Sequence, residues 1–175
     1  MPLLTFAVLA MLDPPLPEVD WDKEFGVEEE VRDPETGELP VEPYDQSNAN
    51  AGAQQFAGTK MAKLFGSQDG IRRIAERTVD LSRQDPRIAE IFVAHDMVRL
   101  KRTLFEQFCY ILNAGCDYSG RTMASAHEGM GVEKRDLNAL VENLQQAMRE
   151  ESVPFPAQNR FLAKLAPMSN EVIDR

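Results

Sequence analysis

A chain of 175 residues with 43% apolar side chains has material for one well-filled core, enough to enclose a cofactor. Its formal charge of -10 belongs to one end: residues 1–50 carry 13 acids against Lys23 and Arg32, and the other 125 residues carry 16 acids and 17 bases. That near-neutral remainder gives no reason to expect a nucleic-acid partner, and the lack of alternating β-branched or aromatic runs beside recurring helix-period runs makes an all-α domain the expectation.

The chain opens with MPLLTFAVLAML, in which Leu3 to Leu12 are all apolar or Thr. Residues 1–12 are too short to span a bilayer as a helix and close to the length of a signal core, so no membrane span is expected. Against a signal, no Lys or Arg precedes Lys23 and no small-x-small cleavage site follows cleanly. A degenerate export signal, implying the periplasm, and an apolar segment packing on a cytoplasmic domain stay as equal readings. Seven of the eleven prolines fall within the first fifty residues, beside most of the acid. Such a stretch cannot offset its ordering entropy by burial. Residues 13–58 are therefore expected to form a disordered or loosely docked arm, with Trp21 and Phe25 as its points of contact, and residues 59–175 the folded domain.

Within that domain, Ile71, Ile74, Ala75, Thr78 and Val79 fall on one helical face that stops ahead of Pro86. Asp96 is placed to cap the next and longest helix, whose stripe runs through Met97, Leu100, Leu104, Phe108 and Ile111. AGCDYSG is turn chemistry, after which a short helix carries Met123 and His127 one turn apart. A fourth helix follows through Leu137, Leu140, Val141, Leu144 and Met148, and a last one through Phe161, Leu162 and Leu165 to Pro167. Cys109 and Cys116 would lie about 10 Å apart on a continuing helix, beyond bridging range, so two free thiols are expected, although Gly115 bends the chain.

His127 is one of two histidines, on the last turn of its helix and followed by Gly129 and Gly131. His-Glu suggests a zinc-protease helix, but the second ligand of that motif would stand at position 131, which is Gly. Neither histidine has a nucleophile at a defined spacing, and no glycine-rich phosphate loop joins a strand to a helix. By elimination His127 is either a capping or core histidine, or the single axial ligand of a flat apolar cofactor.

Taken together, DPRIAEIF, DMVRLKRTLFEQF, DYSGRTMASAHEGMGV and DLNALVENLQQAMREESVP resemble, in order and spacing, the truncated haemoglobins of group I. The resemblance spans about Lys63 to Arg175, and its most specific part is Tyr118-x-Gly120-x-x-Met123-x-x-Ala126-His127. It implies a two-over-two helical sandwich around haem, with an extended N-terminal arm in this chain. It implies His127 as the proximal iron ligand, with Met123 on the same face, Val132 at the ring edge and Phe92 packing on the cofactor. Leu100 and Leu104 match the positions overhanging the iron on the far side. Lys101 and Arg121 would pair with the propionates. A reversibly bound diatomic gas (O2, CO or NO) is the implied ligand, in a carrier, scavenger or sensor. A reductase is the partner such chemistry would call on, and nitric-oxide or peroxide turnover is its enzymatic option.

Departures from the family pattern bear on the distal side. Thr78 and Val79 stand where group I proteins usually have Phe and Tyr, so the tyrosine hydroxyl that donates to ligand is missing. Leu104 replaces a frequent glutamine, and the distal pocket is expected to be wholly apolar. The family's Gly-Gly pairs are degraded at Phe65-Gly66-Ser67 and Ala114-Gly115, and Ile91-Phe92 replaces a common Phe-Phe. His95 precedes the distal helix and is read as a loop histidine, since a second axial ligand in this family falls at the position of Thr103. These departures support a second reading, a haem-free globin-like helical interaction domain.

Overall fold

The computed structural model describes residues 31–173, and Arg32–Arg175 form one compact unit. The expectations for residues 1–12, and for Trp21 and Phe25, lie outside the described residues. Among the described residues there are seven α-helices and no strand. They are α1 (Lys60–Leu64), α2 (Ser67–Gln84), α3 (Met97–Ile111), α4 (Met123–His127), α5 (Lys134–Glu150), α6 (Phe155–Leu165) and α7 (Ser169–Val172). Short 3-10 turns lie at Asn48–Ala51, Ala89–Phe92 and Ala166–Met168. None of the described helices is long and apolar enough to cross a membrane.

Among the described helices α2, rather than α3, is the longest, and it organises the domain. Its buried face, Ile71, Ile74, Ala75, Thr78, Val79 and Ser82, follows the three-and-four spacing of an amphipathic helix. Burying an isoleucine such as Ile74 contributes about 1.5–3 kcal/mol, and truncating it to alanine would cost about 2–5 kcal/mol. Two polar residues on that face turn inward without penalty, because the Thr78 hydroxyl donates to the Ile74 carbonyl at 2.7 Å and Ser82 to the Thr78 carbonyl at 2.8 Å.

Pairings across α2 set the direction of its neighbours. Arg73 meets Glu151 at 2.7 Å, Arg77 meets Glu150 at 2.6 Å, and Ser82 accepts from Asn143 at 3.3 Å, so α5 runs antiparallel to α2. On the other side Arg72 lies 3.8 Å over the Phe105 ring and Asp80 pairs with Lys101 at 2.6 Å, so α3 is antiparallel to α2 as well. α6 closes the core through Phe161, whose ring stands edge-on to Phe65 and Phe108 at 5.1 Å from each. Helix starts are chemically marked: the Asp96 carboxylate accepts from the Val98 amide at 3.1 Å, and Asp136 accepts from the Glu133 amide at 2.9 Å.

Two expectations are corrected here. Cys109 and Cys116 are joined in a disulfide with Cα atoms 5.6 Å apart. α3 ends at Ile111, and Asn113 (φ 58°) and Gly115 (φ 87°) then adopt left-handed backbone that folds the chain back on the helix end. A continuing helix was the wrong reference for that distance.

Of the expected disordered or loosely docked arm at residues 13–58, residues 13–30 lie outside the described residues, and residues 32–58 are docked rather than disordered. Glu38, 6% exposed, is ion-paired with Arg99 and Arg102 of α3. Asp96 binds Arg32 at 2.9 Å and the Leu39 amide at 2.8 Å. Further along, Tyr44 donates to the Ser119 carbonyl at 3.0 Å, Asn48 donates to Asp117 at 2.8 Å, and the Phe56 amide donates to the Ile111 carbonyl at 2.8 Å. The segment docks by charge complementarity and hydrogen bonds, which an argument from apolar burial does not register.

Candidate functional site

α4 is a five-residue helix with its ends defined by chemistry. Thr122 caps it, its hydroxyl accepting from the Ser125 amide at 3.2 Å. At the other end Gly129 (φ 73°) and Gly131 (φ 65°) take left-handed backbone, and a side chain added at Gly129 would meet nothing within 4 Å. That position is reserved by backbone conformation rather than by space.

His127 is the last residue of α4 and is half-buried. Its Nδ1 lies 2.7 Å from the Met123 carbonyl oxygen, one turn back. A carbonyl only accepts, so Nδ1 carries the hydrogen, and in the neutral ring the lone pair sits on Nε2. Among the described residues no three His, Cys, Asp or Glu side chains converge to hold an ion. Nε2 is the nitrogen through which this imidazole could bind a metal.

The remaining expected site residues fall into two groups. Val79, Met123 and Val132 are buried, Met123 and Val132 within the main core cluster. Phe92, Leu100 and Leu104 are half-buried: Phe92 ends the 3-10 turn Ala89–Phe92, and the two leucines lie one turn apart on α3. Lys101 is half-buried with its ammonium on Asp80 at 2.6 Å. Arg121 stacks 5.0 Å over the Tyr44 ring and reaches the Glu42 carbonyl at 3.4 Å. Both cations therefore have partners of their own. His95 is exposed in the loop ahead of α3.

α3 and α4 meet at a residue that periodicity passes over. Gln107 is 7% exposed, and its amide nitrogen lies 3.0 Å from the Ala51 carbonyl and 3.1 Å from the Met123 sulfur. Leu104 and Leu100 lie one and two turns from Gln107 toward the start of α3, and His127 one turn beyond Met123 along α4. The only advance signal was a polar residue beside the apolar stripe. Tyr118, in the loop ahead of α4, is also buried: its hydroxyl donates to the Arg121 carbonyl at 2.9 Å, and burial pushes the phenol up to about 12. It braces the loop that delivers α4.

The model of the family described as bacterial-like globin matches residues 60–174. The chain is 23% identical over 121 residues to a group 1 truncated haemoglobin of Mycolicibacterium paratuberculosis, covering 67% of this chain and 89% of that protein. Among solved structures it is similar to the truncated haemoglobin of Tetrahymena pyriformis in its Fe(III) form, with a TM-score of 0.63, 18% identity, and 66% of this chain and 98% of that one covered. The 2/2 haemoglobin of a Synechococcus species, in the cyanomet state and with covalently attached haem, aligns with a TM-score of 0.60 and 21% identity, again over 66% and 98%. The helical sandwich built on α2, α3, α5 and α6 shares that two-over-two fold.

Proposed function

The chain belongs to the bacterial-like globins, and from that premise we propose that it holds haem through His127 Nε2 and binds a diatomic gas reversibly on the opposite face. The observation that carries this reading is the 2.7 Å contact from His127 Nδ1 to the Met123 carbonyl, which puts the ring's lone pair on Nε2, where it can ligate a metal. Haem, when bound, supplies a redox-active iron with an open position for O2, CO or NO.

The chain's own residues fit that group. The Met123 carbonyl holds the ring of His127 in one orientation and raises the basicity of Nε2, the usual task of an outer partner to a metal-bound histidine. Met123 and Val132 would supply apolar contact on the side of His127, and Phe92, Leu100, Leu104 and Val79 would supply it on the other. Nothing in that second group donates a hydrogen bond, and the two nearby hydroxyls are already engaged, Thr78 with Ile74 and Thr103 with the Arg99 carbonyl at 3.0 Å. Lys101 and Arg121 would meet propionates by sharing or exchanging Asp80 and Tyr44. Gas bound there would meet apolar surroundings that favour CO over O2, since only O2 gains appreciably from a donor.

Titrating the full chain with haemin, with and without reductant, tests the proposal. Stoichiometric uptake with a Soret band is expected in the wild type, and His127→Ala should bind haem weakly or not at all. A wild type that stays colourless would leave the globin-like interaction domain in its place. A His127→Ala variant with an unchanged ferrous spectrum would remove His127 as the ligand.

A further inference from the structure

We propose that Gln107 is a positioning residue for His127: from the far helix, its buried amide sets Met123, and Met123 in turn sets the orientation of the imidazole. The proposal rests on His127 being the iron ligand.

Geometry fixes which end of the Gln107 side chain does this. The atom 3.0 Å from the Ala51 carbonyl must be the NH2 group, because a carbonyl oxygen only accepts. One N–H is thereby used on Ala51. The other faces two sulfurs, Met123 Sδ at 3.1 Å and Met168 Sδ at 3.7 Å. A single side chain on α3 thus gathers the 3-10 turn Asn48–Ala51, the helix α4 and the 3-10 turn Ala166–Met168. The amide is more than nine-tenths buried, so water cannot replace these partners, and losing them carries the desolvation cost of an unmet polar group.

From Met123 the link passes to the imidazole within one helical turn. Its side chain accepts from Gln107, and its backbone carbonyl accepts from His127 Nδ1 at 2.7 Å. α4 has only five residues, and its cap on Thr122 fixes the start but not the last turn, so α4 owes its position to such tertiary contacts rather than to its own hydrogen bonds. α7 also packs against α4, and its buried residue, Val172, is apolar and offers no hydrogen bond. Gln107 is the amide that discriminates one placement of Met123 from its neighbours. Because Leu104 and Leu100 lie one and two turns away on the same helix, both sides of the proposed cofactor are referred to α3.

The test uses Gln107→Met, which keeps the length and volume of the side chain and removes both donors. In the full chain without haem, the tautomer of His127 is read from its ring nitrogen NMR shifts at a pH well above the usual imidazole range. The wild type should show the hydrogen on Nδ1, and Gln107→Met should shift the ring toward the mixture seen for free imidazole. In the loaded protein, haem release should accelerate by about ten-fold, the usual scale for losing an outer partner of a metal ligand. Met123→Leu should give the same shift, and the double variant no more than either alone. It also serves as the measurement if Gln107→Met does not fold. Phe161→Leu, which loosens the core at Phe108 but removes none of the partners of the Gln107 amide, should leave the tautomer as in the wild type. A folded Gln107→Met or Met123→Leu chain with the wild-type tautomer overturns the proposal, as does an equal shift in Phe161→Leu. Wild-type protein that takes up no haem, while Gln107→Met still moves the tautomer, supports the link from Gln107 to His127 and sinks only the haem reading.

Discussion

Replacing Cys116 by serine isolates what the disulfide does. The bridge joins residues seven apart, and in the chain-entropy account a loop of that length stabilises the folded state by about 2.4 kcal/mol at 25 °C. Cys109 is 0% exposed, so the thiol left behind keeps its packing as a small hydrophobic group and no cavity opens. Cys116 is half-buried and tolerates a hydroxyl. With roughly 2.1 cal/mol/K of unfolding entropy per residue over about 140 residues, 2.4 kcal/mol corresponds to about 8 °C in Tm. Three melts followed by far-ultraviolet circular dichroism are needed: oxidised wild type, wild type with a dithiol reductant, and Cys116→Ser. The last two should coincide, about 8 °C below the first. A variant melting within about 2 °C of oxidised wild type would refute the reasoning, because the turn through Asn113 and Gly115 would then be closed equally well without the bridge.

Three more outcomes are expected. Leu104→Gln, nearly volume-conserving, places a donor at the half-buried position that lacks one; oxygen release from the haem-loaded protein should slow by about ten-fold with little change for carbon monoxide, since a donor bond of about 1.4 kcal/mol is a factor of ten. Equal slowing of both gases in stopped-flow displacement would mean that the side chain acts by crowding. Glu38→Ala leaves Arg99 and Arg102 without their shared carboxylate and should cost about 1.5–3 kcal/mol in denaturant melts. Limited proteolysis within residues 32–47 should then quicken, and an unchanged cleavage rate would show that Glu38 does not hold this segment. Glu150 is held down to about 2, against an ordinary 4.5, chiefly by the hydrogen bond from Arg77. Arg87 holds Asp85 well below the carboxylate range. A depressed folded value means that the unfolded chain binds the proton more readily, so this stabilisation is complete above pH 4.5 and is lost as pH falls toward 2. Glu150→Gln should flatten the fall of Tm with pH in that window, and a curve parallel to wild type would count against the pairing.

What could be read in advance divides along a physical line. Helices α2 to α6 are legible in local patterns while the short α1 and α7 are not, and Asp96, Thr122 and the glycines after His127 mark ends by chemistry that acts within one turn. Those signals also put Met123 and His127 on one face before any contact was known. What escaped depends on residues far apart in the chain. Glu38 looks like one more acid in an acidic stretch until Arg99 and Arg102 are brought to it from more than sixty positions away. Cys109 and Cys116 looked too distant when measured along a continuing helix, despite the bend marked by Gly115, and Asn113 turns left-handed as well. The pairing of Lys101 and Arg121 with propionates rests on resemblance, and their partners Asp80 and Tyr44 come from other elements of the chain. Gln107 interrupts no pattern strongly enough to draw notice, and its meaning lies in three acceptors supplied by other elements.

Gly129, two residues past the proposed ligand, illustrates a constraint of an unusual kind. Its backbone is left-handed and its surroundings are empty, so what the position selects is chirality and not bulk. An L-alanine there meets steric resistance from its own backbone of about 1–2 kcal/mol, while its mirror image has the conformation as its natural choice and open solvent in which to put its methyl group. In a chain assembled by ligating a synthetic segment, D-alanine at this one position would narrow the unfolded ensemble without disturbing the folded one. The turn that releases the chain from His127 is thus a place where the protein would accept, and even gain from, a residue that the ribosome does not supply.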